Sequence, residues 1–176
     1  MLQERIKKVL RDVPDFPKPG ILFKDITPIL KDQQLCTEIV EEFVLQLKGL
    51  EFDAIAGIES RGFLFGLMLA NRLNKPFIPI RKAGKLPYKT IQQSYDLEYG
   101  SATIEIHADA FEEGKRILIH DDLLATGGTV EATSLLIQKM KGEIAGFSFL
   151  ISLDFLNGKE RLTKFSSNNV SLASYG

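Results

Sequence analysis

The apolar residues of this chain recur at helical spacing in some stretches and form continuous runs in others. The helical spacing, with charged residues on the opposite side, predicts helices over residues 2–10, 35–47, 61–73 and 129–141. The continuous or alternating apolar runs predict strands over residues 53–58, 77–80, 99–107, 116–120 and 144–153. Because strands and helices alternate along the chain, the pattern predicts one α/β domain whose central sheet is mostly parallel and flanked by helices.

Two stretches interrupt this alternation. Residues Pro14 to Gly20 contain three prolines, which exclude a helix or a central strand and predict an extended surface segment. Residues Ala83 to Tyr95 are polar with little apolar periodicity and predict a long loop, which in a compact domain is often a functional lid. We expect residues 144–153 to form the last long strand.

Composition limits the class of protein and its partners. The chain has 176 residues, 44% of them hydrophobic and 26% charged, as expected for a single globular domain. Its net charge of −1 provides no field for holding a polyanion, so we expect no nucleic-acid partner. The single cysteine, Cys36, cannot form an internal disulfide, and we expect it to be buried. No signal peptide or membrane-spanning run is apparent, so we expect a cytoplasmic protein with no membrane partner.

The segment from Asp121 to Thr129 has the strongest chemical signal. It follows a predicted buried strand and contains two carboxylates, a loop of small residues and the start of a helix. Gly127 and Gly128 allow close approach of a ligand, and the helix start presents free N–H groups, which predicts a phosphate site. The adjacent carboxylates of Asp121 and Asp122 suit ribose hydroxyls. An ordinary strand-to-helix turn with Asp and Thr caps is the alternative interpretation of the same residues.

A second segment, Gly57 to Phe63, also lies where a strand is followed by a helix. It places Arg61 and backbone N–H groups at the same edge of the sheet, where the guanidinium is suited to bidentate binding of pyrophosphate. A capped helix start with a solvated Arg61 is the alternative. His120 ends an apolar strand without a partner at metal-ligand spacing, so we expect a hydrogen-bonded structural histidine.

Read together, these segments resemble a known family. The Asp121 to Thr129 run resembles the phosphoribosyl pyrophosphate signature of the type I phosphoribosyltransferases. The run Glu59 to Phe63 is similar to that of the family's adenine-specific members. The base-recognition segment of these members resembles Phe16 to Pro28. The two ends of their mobile loop resemble Arg81 to Pro87 and Ser94 to Gly100. The resemblance covers nearly all of residues 1–176 as one domain. It implies the type I fold, with a small N-terminal hood over about residues 1–34 and a flexible catalytic loop over about residues 81–99.

The resemblance also implies roles for individual residues. Phe23 matches the ring that stacks on adenine, and the backbones of Leu22 and Lys24 would contact the purine edge, although a Phe in an apolar run is more often a core residue. The implied catalytic residues are Glu98, as acid or base, Tyr99, which helps to close the loop, and Arg61. A solvated loop acid is the alternative for Glu98. The implied sugar-diphosphate residues are Ser60, Arg61, Arg81, Lys82, Lys85, Asp121, Asp122, Ala125, Thr126, Gly127, Gly128 and Thr129.

The reaction implied by the resemblance is the transfer of 5-phosphoribose from phosphoribosyl pyrophosphate to adenine. It yields AMP and pyrophosphate, as in purine salvage. Mg²⁺ is the implied cofactor, held mainly through the substrate and water rather than by direct protein ligands, and a homodimer is the implied assembly. Two other functions stay open at this point: transfer to hypoxanthine or guanine, and a non-catalytic regulator that senses the sugar diphosphate.

Overall fold

The computed structural model describes residues 1–97 and 100–176 of the chain. Glu98 and Tyr99, predicted as catalytic, lie outside the described residues. Among the described helices, none combines the length and the apolar character needed to cross a membrane.

A twisted central sheet organises the fold, as predicted. In the described ranges it has seven strands in the order β5-β6-β4-β3-β7-β8-β9. Five neighbouring strands of these seven pair in parallel, in the order β4, β3, β7, β8 and β9. Strand β6 pairs antiparallel with both β4 and β5. Their bounds are β3 Ala54–Ile58, β4 Phe77–Lys82, β5 Thr90–Asp96, β6 Ser101–His107, β7 Arg116–Leu124, β8 Glu143–Leu153 and β9 Asn169–Tyr175.

Helices cover both faces of the sheet, and each face has its own apolar core. The helices are α1 Leu2–Val9, α2 Gln33–Gln46, α3 Gly62–Arg72, α4 Gly128–Lys139 and α5 Gly158–Leu162, with 3₁₀ turns at Thr27–Lys31 and Asp154–Leu156. One core contains α2 and α3 residues with Leu118 of β7, and the other contains α4 residues with the neighbouring Ile117 and Ile119. Adjacent strand residues point to opposite faces, so the continuous apolar run of β7 serves both cores. Burial of each Leu or Ile side chain stabilises the folded state by about 1.5 to 3 kcal/mol relative to leaving it exposed.

The N-terminal region forms a small hairpin outside the main sheet. Strands β1, Arg11–Pro14, and β2, Leu22–Asp25, pair antiparallel with Val13 opposite Phe23.

The segment between β1 and β2 was predicted to be extended, and this was wrong: residues 15–20 form turns and bends, with positive φ at Asp15 and Gly20 and a hydrogen bond from the N–H of Gly20 to Oδ1 of Asp15. The prolines exclude a helix here, but hydrogen bonds within the segment close it into a turn. The aromatic rings of Phe16 and Phe23 meet edge to face at 5.1 Å, which ties this segment to the hairpin.

Three further expectations about secondary structure were wrong. The loop predicted from Ala83 to Tyr95 is correct only in its first half, because β5 begins at Thr90 and pairs along its whole length with β6. Its apolar residues, Ile91 and Tyr95, pack on the core, but the glutamines between them obscured the alternation. Residues 144–153 are not the last strand, because β9 follows and extends the parallel sheet beside β8.

The third difference concerns β7. This strand continues beyond His120 to Leu124, because Asp121 and Leu123 pair with Phe149 and Ile151 of β8. The two adjacent carboxylates therefore project from the end of a strand rather than from a loop. This placement fixes their backbone before any ligand binds.

Candidate functional site

The loop between β7 and α4 has the local geometry that is typical of anion sites. Gly127 has a φ of 81° and precedes the first residue of α4, so the chain reverses at a conformation that other residues adopt at a cost. The first N–H groups of α4 have no partner within the helix and point into the loop. A cavity of about 90 Å³ is lined by Asp121 and residues 123–130. This loop combines the features of a phosphate site: a positive helix end, small residues and two threonine hydroxyls.

The hydroxyl of Thr129 is already engaged. It lies 3.1 Å from the phenol oxygen of Tyr95 on β5. Tyr95 was not predicted as a site residue, because it fell in the stretch interpreted as a loop. The contact joins the antiparallel edge of the sheet to the start of α4.

The two carboxylates at the end of β7 differ in their surroundings. Asp122 is 4% exposed, and its Oδ2 accepts a hydrogen bond of 2.7 Å from Nε of Arg61. Burial raises the pKa of the Asp121 carboxyl well above its usual value, and the neighbouring charge of Asp122 raises it further. One carboxylate is therefore paired with a cation, while the other is disposed to hold or share a proton.

Arg61 lies at the centre of the site. It precedes α3, and its guanidinium stacks over the ring of Phe23, with its central carbon 4.6 Å from the ring centre. Phe23 is only partly buried and belongs to neither core. The alternative interpretation of Phe23 as a core residue is therefore wrong. The hairpin thus brings an aromatic ring to the carboxyl ends of the parallel strands.

Close packing of α3 against β7 makes these contacts possible. A Cβ added to Gly62 would lie 2.8 Å from Oδ1 of Asp121 and 3.1 Å from the carbonyl oxygen of His120. Only a glycine allows this approach of helix to strand. The sequence pattern indicated a glycine next to Arg61 but gave no sign of its contact across the sheet.

A second cavity, of about 330 Å³, lies beside the first. Its lining residues are Ile58, Glu59, Ser60, Arg61, Lys82, Asp121, Asp122, Leu123 and Thr129. The structure thus brings together Ser60, Arg61 and Lys82 with both carboxylates, and all five belong to the predicted sugar-diphosphate residues. Glu59, which the sequence analysis named only as part of the run to Phe63 and not as a site residue, lies in the same wall. Its carboxylate accepts a hydrogen bond of 2.6 Å from the backbone N–H of Lys82.

Other predicted residues lie around this cavity rather than in its lining. The guanidinium of Arg81 is turned to Glu59, at 3.5 Å, and to the carbonyl oxygen of Lys85, at 3.3 Å. Lys24 directs its ammonium to Asp12, at 2.6 Å, and to the ring of Tyr175. The side chain of Lys24 is therefore occupied by contacts with Asp12 and Tyr175. Leu22, next to Phe23, is half exposed.

His120 and Cys36 are buried, and neither lines the two cavities. Nδ1 of His120 lies 2.8 Å from Oγ of Ser148, but Nε2 has no hydrogen-bond partner within the described part of the chain. The expectation of a hydrogen-bonded histidine is therefore right for one ring nitrogen and wrong for the other. Desolvation lowers the pKa of His120 to about 3, so the ring is neutral at ordinary pH.

A larger cavity, of about 830 Å³, lies elsewhere, against the C-terminal end of α2. Its lining includes Val44, Leu47, Phe52 and Leu73, but it includes none of the predicted site residues. Size alone would favour it as a ligand site. The smaller cavities at the strand ends are better supported, because they combine carboxylates, a guanidinium and a helix N-terminus.

Comparisons with known proteins identify the family of the chain. Residues 24–168 match the family model described as the phosphoribosyl transferase domain. An adenine phosphoribosyltransferase of Cytophaga hutchinsonii is 57% identical over 175 residues, which cover 99% of this chain and 97% of that protein.

Solved structures are similar as well. The crystal structure of adenine phosphoribosyltransferase from Thermoanaerobacter pseudethanolicus is 47% identical with a TM-score of 0.93, covering 99% of this chain and 100% of that one. The Saccharomyces cerevisiae enzyme, solved with an imino-altritol bisphosphate and adenine, is 37% identical with a TM-score of 0.90, covering 97% and 98%.

Proposed function

The chain belongs to the phosphoribosyltransferase family, among its adenine phosphoribosyltransferases, and we infer that it transfers 5-phosphoribose from phosphoribosyl pyrophosphate to adenine, giving AMP and pyrophosphate. The observation that carries this inference is the row formed by Phe23, Arg61 and Asp122. An aromatic ring lies 4.6 Å from a guanidinium carbon, and the same guanidinium lies 2.7 Å from a carboxylate. These three groups suit a base, a pyrophosphate and a sugar hydroxyl in that order.

We propose that the loop before α4 holds the 5′-phosphate. The backbone N–H groups of residues 126–129 supply the donors, Ala125 and the two glycines keep the loop open to the ligand, and the helix dipole favours negative charge. The carboxylates of Asp121 and Asp122 then accept hydrogen bonds from the ribose hydroxyls. Asp121, with its raised pKa, is suited to hydroxyl contacts whether it carries a proton or not.

We propose that the N-terminal hairpin binds adenine. The ring of Phe23 stacks on the flat base, and the backbones of Leu22 and Lys24 contact the purine edge. The side chain of Lys24 is held by Asp12 and Tyr175, which supports a main-chain role. Phe16, at 5.1 Å from Phe23, supports the stacking ring from its edge.

In the proposed reaction N9 of adenine attacks C1 of the ribose as the bond from C1 to the pyrophosphate oxygen breaks, and the N9 proton passes to a general base, for which Glu98 is the proposed group. The sugar becomes cationic while the departing pyrophosphate gains negative charge. The cations of Arg61 and Lys82, which line the same cavity, neutralise that charge together with the basic Arg81 and Lys85 nearby. The carboxyl groups of Asp121 and Asp122, close to the sugar, stabilise its positive charge.

Glu98 and Tyr99 stay proposals that rest on the resemblance, because they lie outside the described residues. A carboxyl closed against the base acts as acid or base if burial raises its pKa toward neutrality.

Mg²⁺ is the proposed cofactor, and it would supply charge neutralisation at the pyrophosphate. Within the described ranges, no group of three or more His, Cys, Asp and Glu side chains is arranged to hold a metal ion. Asp122 is committed to Arg61, and burial disfavours the charged form of Asp121. We therefore propose that the ion is held mainly by the oxygens of the sugar diphosphate and by water.

The direct test is an assay of AMP formation. The purified protein is incubated with Mg²⁺, phosphoribosyl pyrophosphate and adenine, and AMP is measured by chromatography. We expect turnover with adenine and little with hypoxanthine or guanine, because 6-oxo and 6-amino purines present opposite hydrogen-bonding edges. Absence of AMP, or preference for a 6-oxo purine, contradicts the proposal.

We also propose a homodimer. Leu64, Leu67 and Met68 of α3 lie on one helical face and are 37%, 56% and 38% exposed, which supports contact with a second copy of the chain. Light scattering of the wild type is expected to give twice the chain mass of 19.7 kDa. A monomer mass contradicts the proposal, and Leu67→Asp is expected to produce monomers.

The location of the protein in the cytoplasm is likewise proposed. Fractionation of cells that produce the full natural protein tests it, and recovery of the activity in a membrane or exported fraction contradicts it.

A further inference from the structure

We propose that Glu105 is a positioning residue for the pyrophosphate end of the site, where its buried carboxylate holds the backbone turn that carries Lys82. This inference rests on the proposed function and assigns a role to a residue outside the cavity lining. Glu105 touches neither of the two cavities, so it acts through the turn and not on the reacting atoms.

The position of Glu105 is unusual for a charged residue. It is only 2% exposed and lies in the middle of β6, paired with Arg81 on one side and with Gln92 on the other. Its neighbours Ile104 and Ile106 belong to the apolar core, so Glu105 projects from the opposite face of the strand. A buried carboxylate is costly unless its oxygens are hydrogen-bonded, which directs attention to its partners.

The partners of Glu105 are mostly backbone groups of a single turn. Its Oε1 accepts hydrogen bonds from the N–H groups of Lys85, at 3.0 Å, and Leu86, at 2.8 Å. Its Oε2 accepts a hydrogen bond of 3.2 Å from the amide of Gln92. Burial raises the pKa of Glu105, but the hydrogen bonds from Leu86, Gly84, Gln92 and Lys85 together lower it below its usual value. The ionised carboxylate therefore anchors the turn.

The held turn connects directly to the cavity. The N–H of Lys85 donates a hydrogen bond of 3.3 Å to the carbonyl oxygen of Lys82, and Arg81 donates to the carbonyl oxygen of Lys85. From the other side, the carboxylate of Glu59 accepts the N–H of Lys82. Glu59 thus holds the backbone of Lys82 directly, and Glu105 holds it through the turn.

Fixing this backbone matters because a lysine is a flexible point charge. Its four-carbon stem loses rotamer freedom when it binds an anion, and any freedom of the backbone adds to that cost. A turn that is ordered beforehand reduces the cost of placing the ammonium group on pyrophosphate. The effect should appear in binding of the sugar diphosphate and not in binding of adenine.

The test compares Glu105→Gln with a matched control, Glu113→Gln. Glu113 is an exposed acid whose only described contact is an ion pair with Lys141. Calorimetry measures the Kd for Mg²⁺–phosphoribosyl pyrophosphate, and kinetics give KM for each substrate. For Glu105→Gln we expect Kd and KM for the sugar diphosphate to rise about tenfold, while KM for adenine changes less than about twofold, since one charge-assisted anchor is lost. Glu113→Gln should match the wild type.

A double-mutant cycle with Lys82→Ala shows whether the effect passes through the lysine. If it does, Glu105→Gln adds no further weakening in the Lys82→Ala background. Full additivity overturns the proposal, and so does an unchanged Kd in Glu105→Gln. An equal loss for both substrates with a lowered Tm identifies Glu105 as general structural support and also overturns it.

Two other outcomes remain decisive. If Glu105→Gln does not fold, Glu105→Asp, which retains the charge but shortens the anchor, carries the same measurements. If the wild type makes no AMP, the proposed function fails, while the calorimetric cycle still decides the role of Glu105.

Discussion

Nε of Arg61 donates a hydrogen bond of 2.7 Å to Oδ2 of Asp122, although the two residues are 61 positions apart in the chain. The bond joins the start of α3 to the end of β7. It also determines where the guanidinium lies over Phe23, so one contact sets the spacing between the proposed base, pyrophosphate and sugar positions.

Loss of this guanidinium is expected to impair activity strongly. Arg61→Gln leaves the buried Asp122 without its cation and removes charge from the pyrophosphate position, so we expect kcat/KM for the sugar diphosphate to fall about 100-fold or more. Arg61→Lys should recover only part, because an ammonium cannot make the same planar contacts. Arg72→Gln, at an exposed pair with Glu41, is the control. Steady-state kinetics check this, and an Arg61→Gln enzyme equal to the control contradicts it.

Removal of the Phe23 ring should affect the base rather than the sugar. Stacking contributes about 1 to 3 kcal/mol per base, so Phe23→Ala is expected to raise KM for adenine about 5- to 150-fold. Phe23→Tyr should retain most of the binding. Phe155→Ala, at an exposed ring in a 3₁₀ turn, serves as the control. An unchanged KM for adenine in Phe23→Ala would remove this residue from the base site.

A methyl group at Gly62 should destabilise the fold. The added Cβ would lie 2.8 Å from Asp121 Oδ1 and 3.1 Å from backbone atoms, so α3 must move away from β7. We expect Gly62→Ala to lower the free energy of unfolding by about 1 to 3 kcal/mol, in the range of overpacked sites. Asn71→Ala, exposed near the end of the same helix, should change it by less than about 0.5 kcal/mol. Urea denaturation measures both, and equal stabilities would contradict the prediction.

His120 should make the stability depend on pH. Its folded pKa of about 3 is below the usual 6.5, so the neutral ring is favoured in the folded state. The contribution of the neutral ring to the free energy of unfolding is complete above about pH 6.5 and is lost as the pH falls. The reason is that His120 binds a proton in the unfolded chain but stays neutral in the folded chain. Between pH 7.5 and 5 the loss should be about 2 kcal/mol, at 1.36 kcal/mol per pH unit.

The measurement compares urea denaturation of the wild type and His120→Asn at several pH values. The asparagine amide retains a hydrogen-bonding group near Ser148 but does not titrate. We expect the difference in unfolding free energy between the two proteins to shrink toward low pH. Other groups, including Asp121, titrate in both proteins and cancel in this difference. A difference that stays constant with pH shows that the prediction is wrong.

Some parts of the fold, and the hypothesis of an anion site, followed directly from the sequence. The apolar periodicity predicted the βαβ unit of β3, α3 and β4, because burial on both faces of a parallel strand requires a continuous apolar run. The segment from Asp121 to Thr129 predicted an anion site, because small residues between a strand and a helix leave backbone N–H groups free. These are local properties of short segments, and the sequence alone determined them.

Only the tertiary structure decided which distant residues meet. The pairing of Arg61 with Asp122, the approach of Gly62 to Asp121 and the burial of Glu105 under its turn depend on how strands are ordered in the sheet. Strands β5 and β9 also escaped prediction, since each gains its stability from a neighbouring strand and not from a strong pattern of its own. Pairing across a sheet is a long-range interaction, and its energy is not encoded in the residues that lie next to each other in the chain.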